Sequence, residues 1–141
     1  MTTRVQRTLS VSNATENLSK VRTFVTEAMR DGGVGQEDEN RIILAVDEAV
    51  SNIIEHAFEN TIQGIIKVDV EVDPSRCSIT IHDSGKRFDP LSVVPPDLEN
   101  HIRTGQKRGL GVFLMRQIMD EVHYHFKADV ENVLTLIKNL G

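Results

Sequence analysis

The segment from Gln36 to about Asn60 constrains the fold most, because its apolar and polar residues separate at helical spacing. At about 100° per residue, a helix here would have one apolar side and one polar side. The apolar side comprises Ile42, Val46, Ala49, Val50, Ile53 and Ala57, and the polar side comprises Arg41, Glu48, Asn52, Glu55 and Glu59. Such a helix needs a second layer of structure to cover its apolar side.

Strands predicted on both sides of this helix supply the second layer. Alternating residues predict strands at residues 4–12, 64–73, 76–83, 122–128 and 132–140. Helical spacing predicts two further helices, one from about Leu18 to the glycine-rich residues 31–35 and one over 109–122. Asp73 and Pro74 predict a tight turn that makes the second and third strands antiparallel. The order β-α-α-β-β-loop-α-β-β predicts an α+β fold, a two-layer sandwich.

The size and charge of the chain narrow the possible functions. Its 141 residues fit a single domain, residues 1–141, and 39% hydrophobic residues suffice for one core. The net charge of −5 argues against general nucleic-acid binding, which uses basic surfaces. Cys77, the only cysteine, excludes an internal disulfide and is predicted to be a small core residue. No apolar run suits a signal peptide or a membrane span, so we expect a cytoplasmic protein.

A carboxylate and an amide lie one turn apart on the polar side of the second helix. Glu48 and Asn52 are four residues apart, so their side chains are neighbours on the helix surface. A carboxylate can deprotonate a hydroxyl or a water, and an amide oxygen can bind Mg²⁺. Most polar residues on such a helix are only solvated, and the spacing alone leaves that interpretation open.

The end of the third strand carries the second candidate pair. Asp83 ends the strand and Gly85 follows two residues later. Asp83 could accept a hydrogen bond from an exocyclic amine such as that of adenine, and Gly85 would let a flat ring approach the backbone. By itself the pattern also fits an ordinary Asp-Ser-Gly turn. His82, on the preceding strand position, is predicted to be structural.

The third candidate site is the start of the last helix. Gly109 and Gly111 precede or open this helix, and Lys107 and Arg108 stand just before it. Free N–H groups and the positive end of the helix dipole suit phosphate. The sequence is neither a Walker A loop nor a dinucleotide-binding fingerprint. A capped helix after a long flexible loop, residues 84–108, is the alternative interpretation.

Together these residues resemble the GHKL ATPases, also called the Bergerat-fold superfamily. The E-x-x-x-N box is matched by Glu48 and Asn52, the D-x-G box by Asp83 and Gly85, and the glycine box by Gly109, Leu110 and Gly111. Within the superfamily the chain looks most like the bacterial anti-sigma-factor serine kinases. Arg87 stands where the fuller second box has a glycine, and Glu131-Asn132 replaces the frequent Gly-Thr before the last strand. The resemblance therefore transfers no threonine role.

The resemblance implies a mixed, mostly antiparallel sheet with helices on one face, and roles for the matched residues. Glu48 would be the general base for a serine hydroxyl, Asn52 would hold Mg²⁺, and Asp83 and Gly85 would contact adenine. Gly109, Leu110 and Gly111 would donate to the phosphates of ATP. Residues 89–108 would form the ATP lid, with four candidate γ-phosphate ligands: His101, Arg103, Lys107 and Arg108.

Three functions remain open from the sequence. The leading one is an ATP- and Mg²⁺-dependent serine kinase that phosphorylates an anti-anti-sigma (STAS-type) protein and binds a sigma factor, switching partners. The second is a non-catalytic ATP-binding module that sequesters a partner protein. The third is a partner-switching kinase whose output is not a sigma factor. The resemblance also implies a homodimer formed through the first strand and helix. The acidic charge and the lack of an apolar span predict no direct contact with nucleic acid or membrane.

Overall fold

The computed structural model of the protein describes residues 4–57, 64–84, 110–127 and 131–140. The strands are β1 (Val5–Ser12), β2 (Ile65–Val72), β3 (Arg76–Asp83), β4 (Glu121–Lys127) and β5 (Glu131–Asn139). The α-helices are α1 (Leu18–Asp31), α2 (Gln36–Asn52) and α3 (Leu110–Ile118). A 3-10 turn, Thr15–Asn17, precedes α1, and a π turn, Ile53–Ala57, follows α2. The predicted order of strands and helices is confirmed.

The strands form one five-stranded sheet in the order β1-β2-β3-β5-β4. Every neighbouring pair is antiparallel. The predicted α+β class with a mostly antiparallel sheet is therefore confirmed, and the pairing in the described residues is antiparallel throughout. Because β3 pairs with β5, the last strand of the chain lies inside the sheet and β4 lies at its edge.

The core lies between one face of the sheet and the helices. Alternate residues of β2 and β3 face it, and the intervening residues form the opposite face. The buried residues of these strands join those of α1, α2 and α3 in one hydrophobic cluster. Cys77 belongs to this cluster, as predicted, and burial raises the pKa of its thiol to about 12. Within the described residues no helix combines the length and the apolar character that crossing a bilayer requires.

Helix α2 differs from its prediction at its carboxyl end. An unbroken helix from Gln36 to about Asn60 was the expectation, whereas the α-helical hydrogen bonds end at Asn52 and a π turn follows. The backbone N–H of Ile53 is shared between the carbonyls of Ala49 and Val50, where the register changes. Residues 58–63 lie outside the described residues. The apolar spacing of this segment fits both kinds of turn, so the sequence alone could not distinguish them.

The end of α3 was also predicted too late. Helical spacing extended this helix to Val122, but α3 ends at Ile118 and β4 begins at Glu121. Val122, Tyr124 and Phe126 alternate on one face of the strand and pair with β5. The β-branched and aromatic residues are favoured in a strand, and pairing with β5 satisfies their backbone groups.

Two polar side chains, those of Asp73 and His82, stabilise the strands and the turn between β2 and β3. The predicted turn between β2 and β3 is closed by Asp73, whose Oδ1 accepts hydrogen bonds from the backbone N–H groups of Ser75 (2.8 Å) and Arg76 (2.9 Å). On the sheet face away from the helices, the imidazole of His82 lies between the carboxylates of Asp69 (3.0 Å) and Glu131. His82 therefore links β2, β3 and β5, which agrees with its predicted structural role.

Gly32, which follows α1, provides a test of how closely the end of α1 packs against β2. A Cβ at Gly32 would lie 2.6 Å from Cγ1 and 2.8 Å from Cβ of Val72, a fully buried residue of β2. Gly32→Ala is therefore expected to lower the free energy of unfolding by about 1–3 kcal/mol, the usual cost of overpacking. Urea unfolding followed by circular dichroism would measure the change.

Gly35→Ala is the matched control, because a Cβ at Gly35 would meet no atom within 4 Å. Its effect is expected to stay below about 1 kcal/mol, because the only cost is that alanine is a poorer N-cap of α2 than glycine. Equal effects of the two substitutions would contradict the close packing of α1 against β2.

Candidate functional site

Glu48 and Asn52 lie on the last two turns of α2. Both side chains are half-buried, and neither has a hydrogen bond or ion pair within the part of the chain that the structure describes. The neighbouring Asp47 differs, because it accepts hydrogen bonds from Arg22 of α1 at 3.1 and 3.2 Å. Helix α2 thus presents a carboxylate and an amide on adjacent turns, without a partner among the described residues.

The carboxyl group of Glu48 is electrostatically unusual for a glutamate on a helix surface. Partial burial raises its pKa above the ordinary value, and the negative charges of Asp47 and Glu55 raise it further. A carboxylate with a raised pKa holds a proton more strongly than an ordinary one, as a general base must. Partly buried groups with such shifts are concentrated at functional sites.

Asp83 occupies the end of β3, on the sheet face that the helices cover. It is only 5% exposed, although it is an acidic residue. Asn132 of β5 lies directly opposite in the sheet, and its Nδ2 donates to Asp83 Oδ1 at 2.9 Å. The hydroxyl of Tyr124 on β4 donates to Asn132 Oδ1 at 2.6 Å. These bonds offset the cost of burying a carboxylate.

The third predicted element, the glycine-opened helix, begins where the sequence indicated. Leu110 is the first residue of α3 and Gly111 the second. Helix α3 packs against α2, the helix that carries Glu48 and Asn52. The backbone N–H groups of its first turn have no carbonyl partner within the helix, as at the start of any α-helix.

Five of the predicted site residues lie outside the described residues. They are Gly85, Arg103, Lys107, Arg108 and Gly109, and the predicted lid over residues 89–108 lies outside as well, together with His101. The described part of the candidate site therefore consists of Glu48 and Asn52, called the α2 pair below, the buried Asp83 and the start of α3.

Neither Asn132 nor Tyr124 was predicted to be a site residue, although Asn132 was noted at the place of the frequent Gly-Thr. Alternation places Asn132 on the same face as Leu134 and Leu136, which are buried. A polar residue at a core-facing position was the available signal. It was weak, because Val133 and Ile137 make the opposite face of β5 apolar too, so either face could have been the buried one.

Comparison with known proteins identifies this arrangement. The family model for the histidine kinase-like ATPase domain matches residues 11–138. A serine-protein kinase RsbW from Staphylococcus aureus strain JH9 is 30% identical over 132 residues, covering 90% of this chain and 83% of the relative. A second RsbW from Staphylococcus aureus is 32% identical over the same length, with the same coverage.

Two solved structures share the fold. The RsbU and RsbW domains of Rv1364c from Mycobacterium tuberculosis align with a TM-score of 0.62 at 15% identity, over 95% of this chain and 32% of that chain. The histidine kinase domain of a blue-light activated kinase from Erythrobacter litoralis aligns with a TM-score of 0.57 at 18% identity, over 89% of this chain and 60% of that one. The family match, the identity to RsbW kinases and the shared fold agree: the chain belongs to the histidine kinase-like (GHKL) ATPase family.

Proposed function

We propose that this protein is an ATP-dependent serine kinase that phosphorylates an anti-anti-sigma (STAS-type) protein and also binds a sigma factor. The observation that carries the proposal is the half-buried Glu48, which lies one turn from Asn52 and has a raised pKa and no hydrogen-bond or ion-pair partner among the described residues. The similarity to serine-protein kinases of the RsbW type supports the same activity. A protein that only binds ATP would not need a base at Glu48.

In the proposed reaction, Glu48 accepts the proton of the partner's serine hydroxyl. The serine oxygen forms a bond to the γ-phosphorus of ATP, and the bond between this phosphorus and the β,γ-bridging oxygen breaks. ADP leaves with the electron pair of that bond, and phosphoserine remains on the partner. Transfers of this kind depend mainly on positioning and on charge neutralisation, so few catalytic groups are needed.

The remaining site residues would bind the nucleotide. Asp83 would accept a hydrogen bond from the adenine amine, with Gly85 beside the ring. The backbone N–H groups of Gly109, Leu110 and Gly111 would donate to the phosphates, where the start of α3 is suited to anions. The lid cations Arg103, Lys107 and Arg108 would neutralise the γ-phosphate, a role carried by the resemblance.

Asn52 has the donor chemistry for Mg²⁺. Its amide oxygen is a hard ligand, and its side chain has no other partner in the described part of the chain. Mg²⁺ commonly takes only one or two protein ligands, with phosphate and water oxygens completing the octahedron. When bound, the ion would neutralise phosphate charge during transfer.

The test is phosphate transfer from γ-labelled ATP to the cognate STAS-type protein. We expect label on one serine of the partner. ATP binding without transfer would reject the kinase and favour an ATP-dependent sequestering module. Co-purification from the native host then tests which protein the kinase regulates. We expect a sigma subunit bound to the protein. Its absence would favour a partner-switching kinase that regulates another protein.

A homodimer formed through β1 and α1 is also proposed. Strand β1 is at one edge of the sheet, where its outer side can pair with another chain. Val11, Val21 and Val25 are buried in the protein's own core, so these apolar residues are not available for the contact. Sedimentation velocity at several concentrations would test the dimer, and a monomer at all of them would reject it.

The raised pKa of Glu48 predicts how transfer depends on pH. A base acts only when it is ionised, so transfer should fall as the pH drops through the raised pKa of Glu48. Glu55→Gln removes one of the charges that raise this pKa. The variant should therefore keep its activity to a lower pH than the wild type, as measured by single-turnover transfer across a pH series.

Glu37→Gln is the control for this pH shift, since Glu37 is an exposed residue in the first turn of α2. Titration of ATP itself affects all variants alike, so differences between their profiles report the protein. The pH profile of Glu37→Gln is expected to coincide with that of the wild type. If the Glu55→Gln profile coincides with it as well, Glu48 is not the titrating base.

A further inference from the structure

Three polar side chains form a chain of hydrogen bonds across three adjacent strands. The hydroxyl of Tyr124 on β4 bonds Asn132 on β5 at 2.6 Å, and Asn132 bonds Asp83 on β3 at 2.9 Å. Asn132 and Asp83 are 3% and 5% exposed, and both side chains are on the helix-covered face of the sheet. Polar groups buried this deeply are costly to maintain unless they are fully hydrogen-bonded.

The direction of these hydrogen bonds follows from the chemistry of the groups. Asn132 presents its NH₂ group to Asp83, whose Oδ1 accepts the hydrogen bond. The amide oxygen of Asn132 then faces Tyr124, whose hydroxyl must donate. The orientation of the Asn132 amide is therefore set at the Asp83 end, and the Tyr124 hydroxyl, which could donate or accept, holds the amide oxygen in place by donating to it.

The hydrogen bond from Asn132 restricts rotation of the Asp83 carboxyl group. The Asp83 carboxylate rotates about a single bond, and a charge-assisted hydrogen bond to Oδ1 selects one plane for it. Because Asp83 stands at the end of β3, that plane decides the direction in which the carboxylate accepts further hydrogen bonds. Recognition of a base edge depends on such directions, since hydrogen bonds weaken steeply when they are misaligned.

We propose that Asn132 is a positioning residue that aims Asp83 at the 6-amino group of adenine, with Tyr124 fixing the Asn132 amide. This inference rests on the proposed function, in which Asp83 reads adenine. Guanine carries a carbonyl oxygen at the corresponding position, which a carboxylate repels. Asn132 and Tyr124 therefore contribute to the preference for ATP without touching the nucleotide.

The test compares ATP with purine riboside triphosphate, which has hydrogen in place of the 6-amino group. Calorimetric titration of the purified protein should give a clear preference of the wild type for ATP. Asn132→Leu keeps the size of the side chain and removes both hydrogen bonds. It should reduce the preference for ATP by about tenfold, the effect of one hydrogen bond to a charged group.

Tyr124→Phe removes only the hydroxyl that orients the amide, from a side chain that is not fully buried. Its effect should be smaller, about two- to fivefold, because the bond from Asn132 to Asp83 can still form. If Asn132→Leu fails to fold, the affinities of Tyr124→Phe for ATP and for purine riboside triphosphate still test the inference. Thr135→Val is the control, since Thr135 of β5 lies on the opposite sheet face and its loss should leave the preference unchanged.

The outcomes distinguish this inference from the proposed function. If the variants lose affinity for both triphosphates by the same factor, Asn132 and Tyr124 only stabilise the fold, and the inference is wrong while ATP binding stands. If the wild type binds both triphosphates equally, Asp83 does not read the amine and the inference also fails. A wild type that binds neither would reject the proposed function itself.

Discussion

Replacing Glu48 with glutamine is expected to slow phosphate transfer by about 10²–10⁴-fold, the usual contribution of a general base. Glutamine has nearly the same size and cannot take the proton of the serine hydroxyl. ATP affinity should remain close to that of the wild type, because Glu48 is proposed to act on the serine and not on the nucleotide. Single-turnover transfer and calorimetric ATP binding, measured on the same preparation, would separate the two effects.

The stability of the Glu48→Gln variant provides an independent check. The pKa of Glu48 is raised in the folded protein, so the folded state holds its proton more strongly than the unfolded state. The protein therefore loses stability as the pH rises from the pKa of Glu48 in the unfolded state to its higher pKa in the folded state. Above the folded-state pKa, the ionised Glu48 destabilises the fold. At neutral pH the variant should melt at the same temperature as the wild type or higher.

Glu37→Gln is the matched control, because it makes the same chemical change at an exposed position of the same helix. Its transfer rate should equal that of the wild type. Full transfer activity in Glu48→Gln would remove Glu48 from the mechanism. A large fall in melting temperature would instead identify Glu48 as a structural residue.

The second large effect is expected from Arg30→Met, at the contact between α1 and α2. Arg30 donates to Glu39 from Nε, at 3.3 Å to each oxygen, and from Nη2 at 3.1 Å to Oε1. The side chain of Glu39 is 5% exposed and that of Arg30 61%. Methionine keeps the aliphatic part of Arg30 and leaves Glu39 as a buried carboxylate without its cation.

The free energy of unfolding should fall by about 3 kcal/mol, the cost of leaving a buried charged acceptor without its donor, because Glu39 is buried although Arg30 is mostly exposed. Urea unfolding would measure it. Arg41→Met is the control, since Arg41 pairs with Glu37 on the surface at 2.9 Å, and its loss should cost at most about 1 kcal/mol. The double variant Arg30→Met/Glu39→Gln should recover part of the loss. Equal effects of Arg30→Met and Arg41→Met would mean that burial of Glu39 contributes nothing.

Glu39 illustrates what sequence periodicity cannot resolve. It stands in the first turn of α2 among Glu37 and Asp38, and the apolar side of the helix was assigned without it. Only the position of α1 decides that Glu39 is covered and that Arg30 reaches it. The sequence shows the charge of Glu39 and its angular position on α2. It does not show where α1 lies, and the position of α1 determines whether Glu39 is buried.

The local elements followed from the sequence because their causes are local. Apolar spacing determined α2, alternation determined β2 and β3, and the side chain of Asp73 determined the turn between these strands. The spacing of Glu48 and Asn52 likewise follows from the helix alone. These features depend on residues within a few positions of one another, where backbone geometry leaves few alternatives.

The surroundings of Asp83 depended on the tertiary structure. Asn132 is 49 residues further along the chain and reaches Asp83 only because β5 inserts between β3 and β4. Another strand order would satisfy the same alternating patterns and would separate these residues. The sequence by itself determined the order and type of the strands and helices and the spacing of the α2 pair, since these follow from local periodicity. Sheet order is set by how all the buried faces pack together, and it alone decided that Tyr124 and Asn132 support the buried Asp83.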